Sequence, residues 1–455
     1  MKCPGPTVVL GVFVALGCSP SSAPAPNAST TQIEGTAPAA TAAPLVKDED
    51  AMRRARAIID TLASVKAQGL GYSAAYTGSE FLPYPKSGHA GMMLLQQAPP
   101  EPSSALGELV ALGAGAVPAL VACLAEARPT EIEPVRALQW MSYDDEYDFN
   151  RRTEAAPPGT VNLTNASPAA PTPYRVLVGD LCFVALGQIL NRHFNAVRYQ
   201  PSGGLVVSSP VRSTALRSVV VERLARFDRE AHRAALMRDF REPDFEDRRE
   251  GAALRLSYYY PAALEEVVPE LLPRPTYDVF AVSRFAREEL YAARDAAERR
   301  ALFDRFLREH GPAGKTGLER QLFEDLSMLE ANEQGRLSPK LTAYGTQPRE
   351  LLIALYGFPS SVRASDKPYP QHLEHLELAR LIRTLRYDRS TRIDDAVLQV
   401  MTTTRNGELA LACMPRLAAH GHEADVKRAA QRLLDAGAKE ADQLRKALAS
   451  GGHGL

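Results

Sequence analysis

Apolar residues recur at helical spacing through most of this chain, and that period constrains the fold more than any other feature. Val117, Leu120, Val121 and Leu124 fall at positions i, i+3, i+4 and i+7, so they share one face of a helix. Within residues 371–450, five amphipathic segments follow one another and are joined by short turns. The sequence therefore predicts a mainly α fold.

Some of these segments pair as helical hairpins. Residues 104–126 contain two short helical patterns that meet at a glycine turn, with Pro118 in the first turn of the second, where a missing N–H costs nothing. This pair resembles a HEAT-type hairpin. The stretches around Pro269 and Pro415 share its apolar–Pro–x–Leu pattern, but they lie farther apart than the roughly 40–47 residues of a tandem repeat. The resemblance implies an irregular HEAT-like or α-solenoid-like array of helical hairpins; an irregular all-α domain is the alternative.

One block interrupts the helical pattern. A helix is predicted across residues 174–192, in which Gly179 and Gly187 allow a neighbouring element to pack closely. Residues 197–208 then place two β-prone runs on either side of a Pro-Ser-Gly-Gly turn, which predicts one small β-hairpin. Such an insertion either builds a binding lip or simply connects two helices.

The N-terminus carries the most specific motif. An apolar run at residues 7–16 has the length of a signal-peptide core and is too short to span a bilayer. The sequence Ala-Leu-Gly-Cys at residues 15–18 resembles a bacterial lipoprotein lipobox, although Ala15 stands where leucine is usual. The resemblance implies that residues 1–17 form a signal peptide and that Cys18 becomes lipidated. An ordinary secretory signal is the alternative.

A tether follows the leader. Residues 18–47 are rich in Ser, Ala, Pro and Thr, so they cannot bury enough apolar surface to fold. A lipid anchor, a tether and a globular body form a coherent plan for an envelope protein. Within the lipoprotein family, Ser19 after the cysteine points to the outer membrane. We therefore expect a lipid-anchored protein of the bacterial cell envelope, at the outer membrane, on its periplasmic face or its surface.

The rest of the chain divides at a Pro/Ala-rich connection, residues 153–173. We predict an N-terminal helical region at residues 48–152, a central helical region with the β-hairpin at 174–345, and a C-terminal helical region at 346–455. Long irregular stretches are uncommon in compact domains, so the connection is interpreted as a surface excursion.

Charge and cysteine content argue against several kinds of partner and site. The 53 basic and 54 acidic residues give a net charge of -1, which offers no electrostatic basis for binding nucleic acid. The dense mixed charge of residues 211–255 is typical of a solvated surface with ion pairs. Cys123, Cys182 and Cys413 lie in apolar helical stretches without the spacing of a disulfide framework, and we interpret them as small buried hydrophobes.

A polar cluster near the β-hairpin is the best candidate binding site. Its members are Asn191, Arg192, Arg198, Tyr199 and Gln200. These groups either line a groove for a ligand or a partner, or they cap the helix and satisfy the hairpin backbone.

Two other stretches are weaker candidates for cation binding. His372 and His375 stand three residues apart on a predicted helix, as zinc ligands can, but without the HExxH arrangement; two surface histidines are the favoured interpretation. The acidic stretch 141–150 lacks the glycine and terminal glutamate of an EF-hand, so an acidic surface turn is favoured there.

The stretch GPAGKTG at residues 311–317 resembles the end of a phosphate-binding loop. Glu309 stands where that loop needs its first glycine, and a helical pattern precedes it instead of a strand. His310, Gly311 and Pro312 match a helix ending, so we expect no bound nucleotide.

No catalytic residue or cofactor is predicted, because neither a GxSxG elbow nor a GxGxxG turn after a strand is present. We expect a non-catalytic protein–protein interaction or scaffold module with an unknown protein partner. The alternative is a hydrolase or metal-dependent enzyme whose site is assembled from distant residues.

Overall fold

The structure, a computed structural model, describes residues 48–66, 72–73, 81–84, 103–134, 139–141, 174–192, 194, 196–199, 204–207, 209–243, 246–333, 345–368 and 372–451. The leader, the tether, the 153–173 connection, Gln200 and residues 142–150 lie outside this range.

The described residues form sixteen α-helices, so the chain is mainly helical, as its periodicity predicts. They are α1 (Asp48–Thr61), α2 (Ser104–Ala111), α3 (Val117–Cys123), α4 (Val178–Leu190), α5 (Thr214–Leu224), α6 (Arg229–Arg241), α7 (Glu246–Tyr259), α8 (Pro261–Leu271), α9 (Val279–Arg284), α10 (Ala296–Glu333), α11 (Gln347–Tyr356), α12 (His375–Thr384), α13 (Thr391–Thr403), α14 (Gly407–Ala419), α15 (Glu423–Asp435) and α16 (Ala441–Ala449). The five helices predicted within residues 371–450 are present as α12 to α16.

The short strands among the described residues are β1 (Tyr72–Ser73), β2 (Gln139–Met141), β3 (Val197–Tyr199), β4 (Gly204–Val207), β5 (Thr276–Tyr277) and β6 (Leu373–Glu374). The predicted β-hairpin is confirmed, because β3 and β4 pair antiparallel with Val197 opposite Val207. The hairpin is also the centre of a larger sheet of order β1-β3-β4-β2, in which both outer strands run parallel to their neighbours. Strands of two or three residues carry no readable period, so the sequence did not predict β1 and β2.

The predicted helical pair at residues 104–126 is present as α2 and α3. The Ser103 side chain accepts a hydrogen bond from the Leu106 N–H and caps α2. Gly113 turns the chain between the two helices with a φ of 62°, and a Cβ at that position would meet the Tyr259 ring at 2.9 Å. Glycine therefore satisfies both the backbone and the space available at this turn.

Buried apolar side chains form three cores. The N-terminal core extends from Ala55 to Leu254 and takes in α2, α3 and α4. A second core joins residues 236–272 to residues 373–447; because its two stretches are separated in sequence, we call it the split core. Between those stretches, residues 277–362 have a core of their own, and we call residues 276–368 the inserted lobe. These cores group the helices differently from the predicted regions, whose boundary at residue 345 falls within the lobe.

Helices of the split core pack in two rows. One row runs α7, α12, α14 and α16, and the other runs α8, α13 and α15. Helix α12, the first helix after the lobe, packs directly on α7. Pro269 of α8 and Pro415 of α14 lie in different rows, so their shared pattern does not mark one repeated position.

The inserted lobe is joined to the split core at a parallel pair of strands. Thr276 of β5 lies opposite Leu373 of β6, so the entry and the exit of the lobe are adjacent. Within the lobe, α10 is broken at Gly311, whose φ is 62°, as the helix-ending pattern at this point predicts. Thr316 follows the break and donates to the Pro312 carbonyl inside the second half of α10.

The structure corrects the interpretation of Cys123 and Cys182 as small buried hydrophobes outside any disulfide framework. Cys123 of α3 and Cys182 of α4 are joined in a disulfide, whereas Cys413 is a buried free thiol. The pair lies 59 residues apart, so only the packing of α3 on α4 brings the two together.

Within the described part of the chain, no single helix has both the length and the apolar composition to cross a bilayer. Only α2 taken together with Gly113–Cys123 meets that test, across a bend of 109°.

Candidate functional site

The predicted polar cluster begins where α4 ends. Asn191 closes this helix in the left-handed conformation, with a φ of 59°. Its side-chain N–H₂ group donates to Asp239 Oδ2 at 3.0 Å and to the Arg248 carbonyl at 2.9 Å. Asn191 thus ends α4 and ties it to α6 and α7, while its Oδ1 has no hydrogen-bond partner in the structure.

Arg192 is held by the same carboxylate. Its guanidinium reaches both oxygens of Asp239, and this fork-to-fork geometry is the strong form of the arginine–carboxylate pair. Asp239 is itself buried, so the pair lies largely out of solvent. Two of the five predicted binding residues therefore make internal contacts.

The remaining members of the cluster belong to the β-hairpin. Arg198 and Tyr199 lie in β3, where Arg198 is opposite Val206. Their side chains and the whole of Gln200 are outside the described residues. A ligand groove formed by all five residues remains a prediction.

Helix α7 carries the most unusual side chains of the molecule. Arg248, Arg249 and Arg255 are among the largest fully buried side chains in the described chain. This corrects the interpretation of residues 211–255 as a solvated surface: α5 and much of α6 are exposed, but α7 lies between the N-terminal core and the split core. The available signal was the run Ala252-Ala253-Leu254 followed by Leu256, which is apolar around the whole helix.

Arg255 is buried against aromatic rings. Its guanidinium donates to the carbonyls of Gln188 and Gly251, and its centre lies 5.0 Å from the centre of the Phe81 ring. Burial lowers the pKa of Arg255 to about 10, so it remains charged at neutral pH. Phe81 also packs edge-on against Tyr258 and Tyr259, which extends the aromatic contact along α7.

His232 of α6 lies fully buried beside these groups. Its Nε2 is 2.9 Å from the Ile189 carbonyl, which can only accept, so Nε2 carries the proton. Nδ1 is then an acceptor 3.0 Å from the Tyr260 hydroxyl, whose single proton also lies within reach of the Arg229 carbonyl at 3.1 Å. Burial lowers the pKa of His232 to about 4, and a neutral imidazole fits this arrangement.

Together these side chains form a polar joint between the N-terminal core and the split core. We use that name for Asn191, Arg192, His232, Asp239, Arg248 and Arg255. The joint connects the end of α4 to α6 and α7 through internal hydrogen bonds. Its geometry suits the positioning of three helices, because buried polar groups that are bonded in this way specify one arrangement.

The two weak metal candidates have separate partners. His372 Nδ1 lies 2.9 Å from the Thr316 hydroxyl, and His375 Nδ1 lies 3.1 Å from the Asn406 side chain. Burial lowers the pKa of both histidines. The nearby carboxylates pair with arginines: Glu374 with Arg320, and Glu377 with Arg249. Among the described residues, no group of three or more His, Cys, Asp or Glu side chains is arranged to hold a metal ion.

A second buried network, which the sequence did not indicate, connects α13 to α14. Arg416 is fully buried and donates to Asp394 Oδ1 at 2.7 Å and to the carbonyls of Asp388 and Ser390. His420 Nδ1 lies 2.8 Å from the other oxygen of Asp394. The Arg416 side chain thereby holds the turn before α13 in place. A histidine whose ring is oriented by a carboxylate, as His420 is by Asp394, is also a common part of hydrolase sites.

Comparison with protein-family models, with curated proteins and with solved structures finds no match to this chain.

Proposed function

We propose that this protein is an envelope lipoprotein, anchored through Cys18, whose helical body is a non-catalytic interaction or scaffold module for another protein. HEAT-like packing of its helical hairpins is part of the same proposal. The anchor rests on the lipobox-like leader and the tether, and the interaction role rests on the body.

The arrangement of helices in two rows carries the interaction role. Helices α8, α13 and α15 pack side by side, and each of them presents exposed side chains, among them Glu266, Gln399 and Arg428. Proteins built from stacked helical hairpins use extended faces to bind partners.

Buried charges support a body whose task is to hold a shape. Arg249 pairs with Glu377 between α7 and α12, and the half-exposed Arg380 pairs with the buried Glu250 at 2.8 Å across the same contact. Arg416 similarly fixes α14 to Asp394 of α13. These side chains are engaged in joining helices, which is consistent with a rigid platform.

The disulfide supports a location outside a reducing cytoplasm. Structural disulfides such as Cys123–Cys182 persist in oxidising compartments, including the bacterial periplasm. This observation is independent of the leader and points to the same side of the membrane.

Replacement of Cys18 tests the anchor. Cys18→Ser should abolish incorporation of labelled fatty acid and release the protein from washed membranes, whereas Cys3→Ser, in the same leader, should leave both unchanged. Membrane attachment and labelling that survive in Cys18→Ser would overturn the anchor.

Photo-crosslinking tests the interaction role. A photoreactive residue replaces Arg383 in one row or Gln399 in the other; both positions are exposed. In intact cells, at least one of them should give a discrete crosslinked product with an envelope protein. Arg300 in the lobe is a matched exposed control. Equal labelling at all three positions, or none at either row, would remove the support for a partner-binding face.

The His420–Asp394 contact is the observation that favours the alternative of an enzyme assembled from distant residues. Metal analysis of the purified body separates the two functions. Stoichiometric zinc that is lost in His372→Ala would favour a metal-dependent enzyme and count against the scaffold.

A further inference from the structure

The Cys123–Cys182 disulfide joins two residues that are 59 positions apart in the sequence. Cys123 is the last residue of α3, and Cys182 lies one turn into α4, with the two Cα atoms 6.2 Å apart. Both residues are buried. The sequence between them includes the Pro/Ala-rich residues 153–173.

Backbone hydrogen bonds join the described residues that follow Cys123 to those that precede Cys182, and one of them runs from the Gly179 N–H to the Glu126 carbonyl at 2.9 Å. The Thr130 N–H donates to the Val176 carbonyl at 3.0 Å, and the Val178 N–H donates to the Arg128 carbonyl at 2.9 Å. Gly179 completes the contact, because a Cβ there would come within 2.9 Å of the Leu124 carbonyl oxygen. Closing a loop of this length carries a large entropic cost, which a covalent link removes from the folding step.

The disulfide also helps to hold the first turn of α4 in position, because Cys182 lies next to that turn. Asp180, two residues before Cys182, is fully buried and accepts hydrogen bonds from the Tyr174 hydroxyl at 2.7 Å, the Ser209 hydroxyl at 2.6 Å and the Leu177 N–H at 2.9 Å. Burial raises the pKa of this carboxyl. If α4 shifts, a buried acid loses its partners, and such a loss is costly. The disulfide therefore holds in place a network that cannot tolerate displacement.

The third body cysteine does not compete for either partner. Cys413 lies in the split core, away from the N-terminal core that contains Cys123 and Cys182. Burial raises the pKa of its thiol well above the usual range, so it forms little of the thiolate that exchange requires. In the folded body, Cys123 and Cys182 are therefore the one pair of described cysteines that can form a disulfide.

We infer that the body reaches its full stability only where an oxidant that converts dithiols to disulfides acts on it, so that export and stabilisation of the fold are coupled through Cys123 and Cys182. One thiolate of the pair attacks the disulfide of the oxidant and forms a mixed disulfide. The other thiolate then displaces the oxidant. The pair loses two electrons and two protons in total, and the oxidant leaves as a dithiol.

Thiol counting tests the inference on the full chain. The protein is expressed in bacterial cells with and without their envelope dithiol oxidase, trapped with acid, and alkylated under denaturing conditions with a maleimide that shifts its gel mobility. The exported protein should show one reactive body thiol, Cys413, and three after reduction. Cells without the oxidase should accumulate the three-thiol form and less protein. Three thiols in the exported protein of normal cells would overturn the inference.

Stability measurements decide whether the disulfide matters for the fold. Reduction of the purified exported protein should lower its unfolding midpoint by roughly 5–15 °C. The double variant Cys123→Ala/Cys182→Ala should unfold at the lower temperature and be insensitive to reductant, whereas Cys413→Ala should keep the sensitivity. If the double variant does not fold, reduction of the wild-type protein still decides the question. An unchanged midpoint after confirmed reduction would overturn the coupling.

The inference rests on the proposed export of the protein, but the experiments can contradict the oxidation of Cys123 and Cys182 without contradicting the anchor at Cys18. If the Cys18→Ser protein is released from the membrane and still contains the disulfide, that result supports both the anchor at Cys18 and the oxidation of the cysteine pair. An anchored protein with both thiols free would overturn the oxidation and leave the anchor standing.

Discussion

The split core and the inserted lobe are assembled from the chain in opposite ways. The lobe core uses one continuous stretch, residues 277–362, whereas the split core joins residues 236–272 to residues 373–447 across the whole lobe. Contacts between distant residues must overcome loop-closure entropy before they stabilise anything, while local contacts do so early. The lobe is therefore expected to fold by itself, and the split core to depend on the contacts that bring α12 back to α7.

One ion pair of the split core is buried more deeply than two pairs of the lobe, although the lobe also contains the buried Asp325, which pairs with Arg287. Between α7 and α12, Arg249 and Glu377 form a pair that is almost wholly buried. In the lobe, the pairs Arg305–Glu289 and Arg300–Asp304 are about half exposed. A buried pair is costly to break, whereas exposed pairs contribute little.

The largest effect is expected from breaking the buried pair. Glu377→Ala leaves the Arg249 guanidinium buried without its carboxylate and should lower the free energy of unfolding by about 3–5 kcal/mol. Glu289→Ala, which breaks the exposed lobe pair, should cost about 0–1 kcal/mol. Urea unfolding followed by circular dichroism measures both, and equal losses would remove the distinction between the two regions.

A core truncation in the lobe tests whether the lobe unfolds separately. Phe323 is fully buried and packs edge-on against Phe358. Phe323→Ala should cost about 3–5 kcal/mol, and the loss should be confined to the lobe. Hydrogen exchange should quicken in α10 and α11 and stay slow in α12 to α16. Phe280→Ala is the matched control, because Phe280 is 70% exposed. Uniform loss of protection would mean that the lobe and the split core unfold together.

Acid should weaken the joint between the N-terminal core and the split core. Burial lowers the pKa of His232 from 6.5 to about 4, so the unfolded chain takes up a proton before the folded one does. The stability that His232 contributes is complete above pH 6.5 and is lost as the pH falls to 4, by about 3 kcal/mol in total. Stability measured against pH should show this loss in the wild-type protein and a smaller one in His232→Gln. The same pH dependence in both would exclude His232 as the cause.

The smallest effect is expected at the break in α10. Gly311 has a φ of 62° and a ψ of -159°, and an added Cβ would meet no atom within 4 Å. Gly311→Ala should therefore cost about 1–2 kcal/mol from backbone strain alone. Gly107→Ala, at an equally open position inside α2, should be neutral or slightly stabilising. A neutral Gly311→Ala would indicate that the break does not need its left-handed residue.

Local patterns of sequence were enough to predict the five C-terminal helices and the hairpin. The spacing of apolar residues placed α12 to α16, and the turn at residues 201–204 placed β3 next to β4. The break at Gly311 followed from His, Gly and Pro in succession, for the same local reason. Each of these features depends on neighbours within a few residues.

The candidate site was predicted less well, because mixed charge has the same spacing whether it is buried or solvated. Arg249 and Arg233 stand among similar neighbours in sequence, yet Arg249 is buried against Glu377 and Arg233 pairs with Glu230 near the surface. Asn191 and Arg192 were correctly placed at the helix end, but their partner Asp239 lies 47 or 48 residues away.

The sequence by itself determined that this chain is mainly helical with one hairpin, because those properties reside in short windows of residues; the lipobox-like leader stays a prediction. Only the tertiary structure decided that Cys123 meets Cys182, that the arginines of α7 are buried, and that a lobe separates the two halves of one core. Those outcomes depend on which helix faces pack together, and no local period specifies that choice.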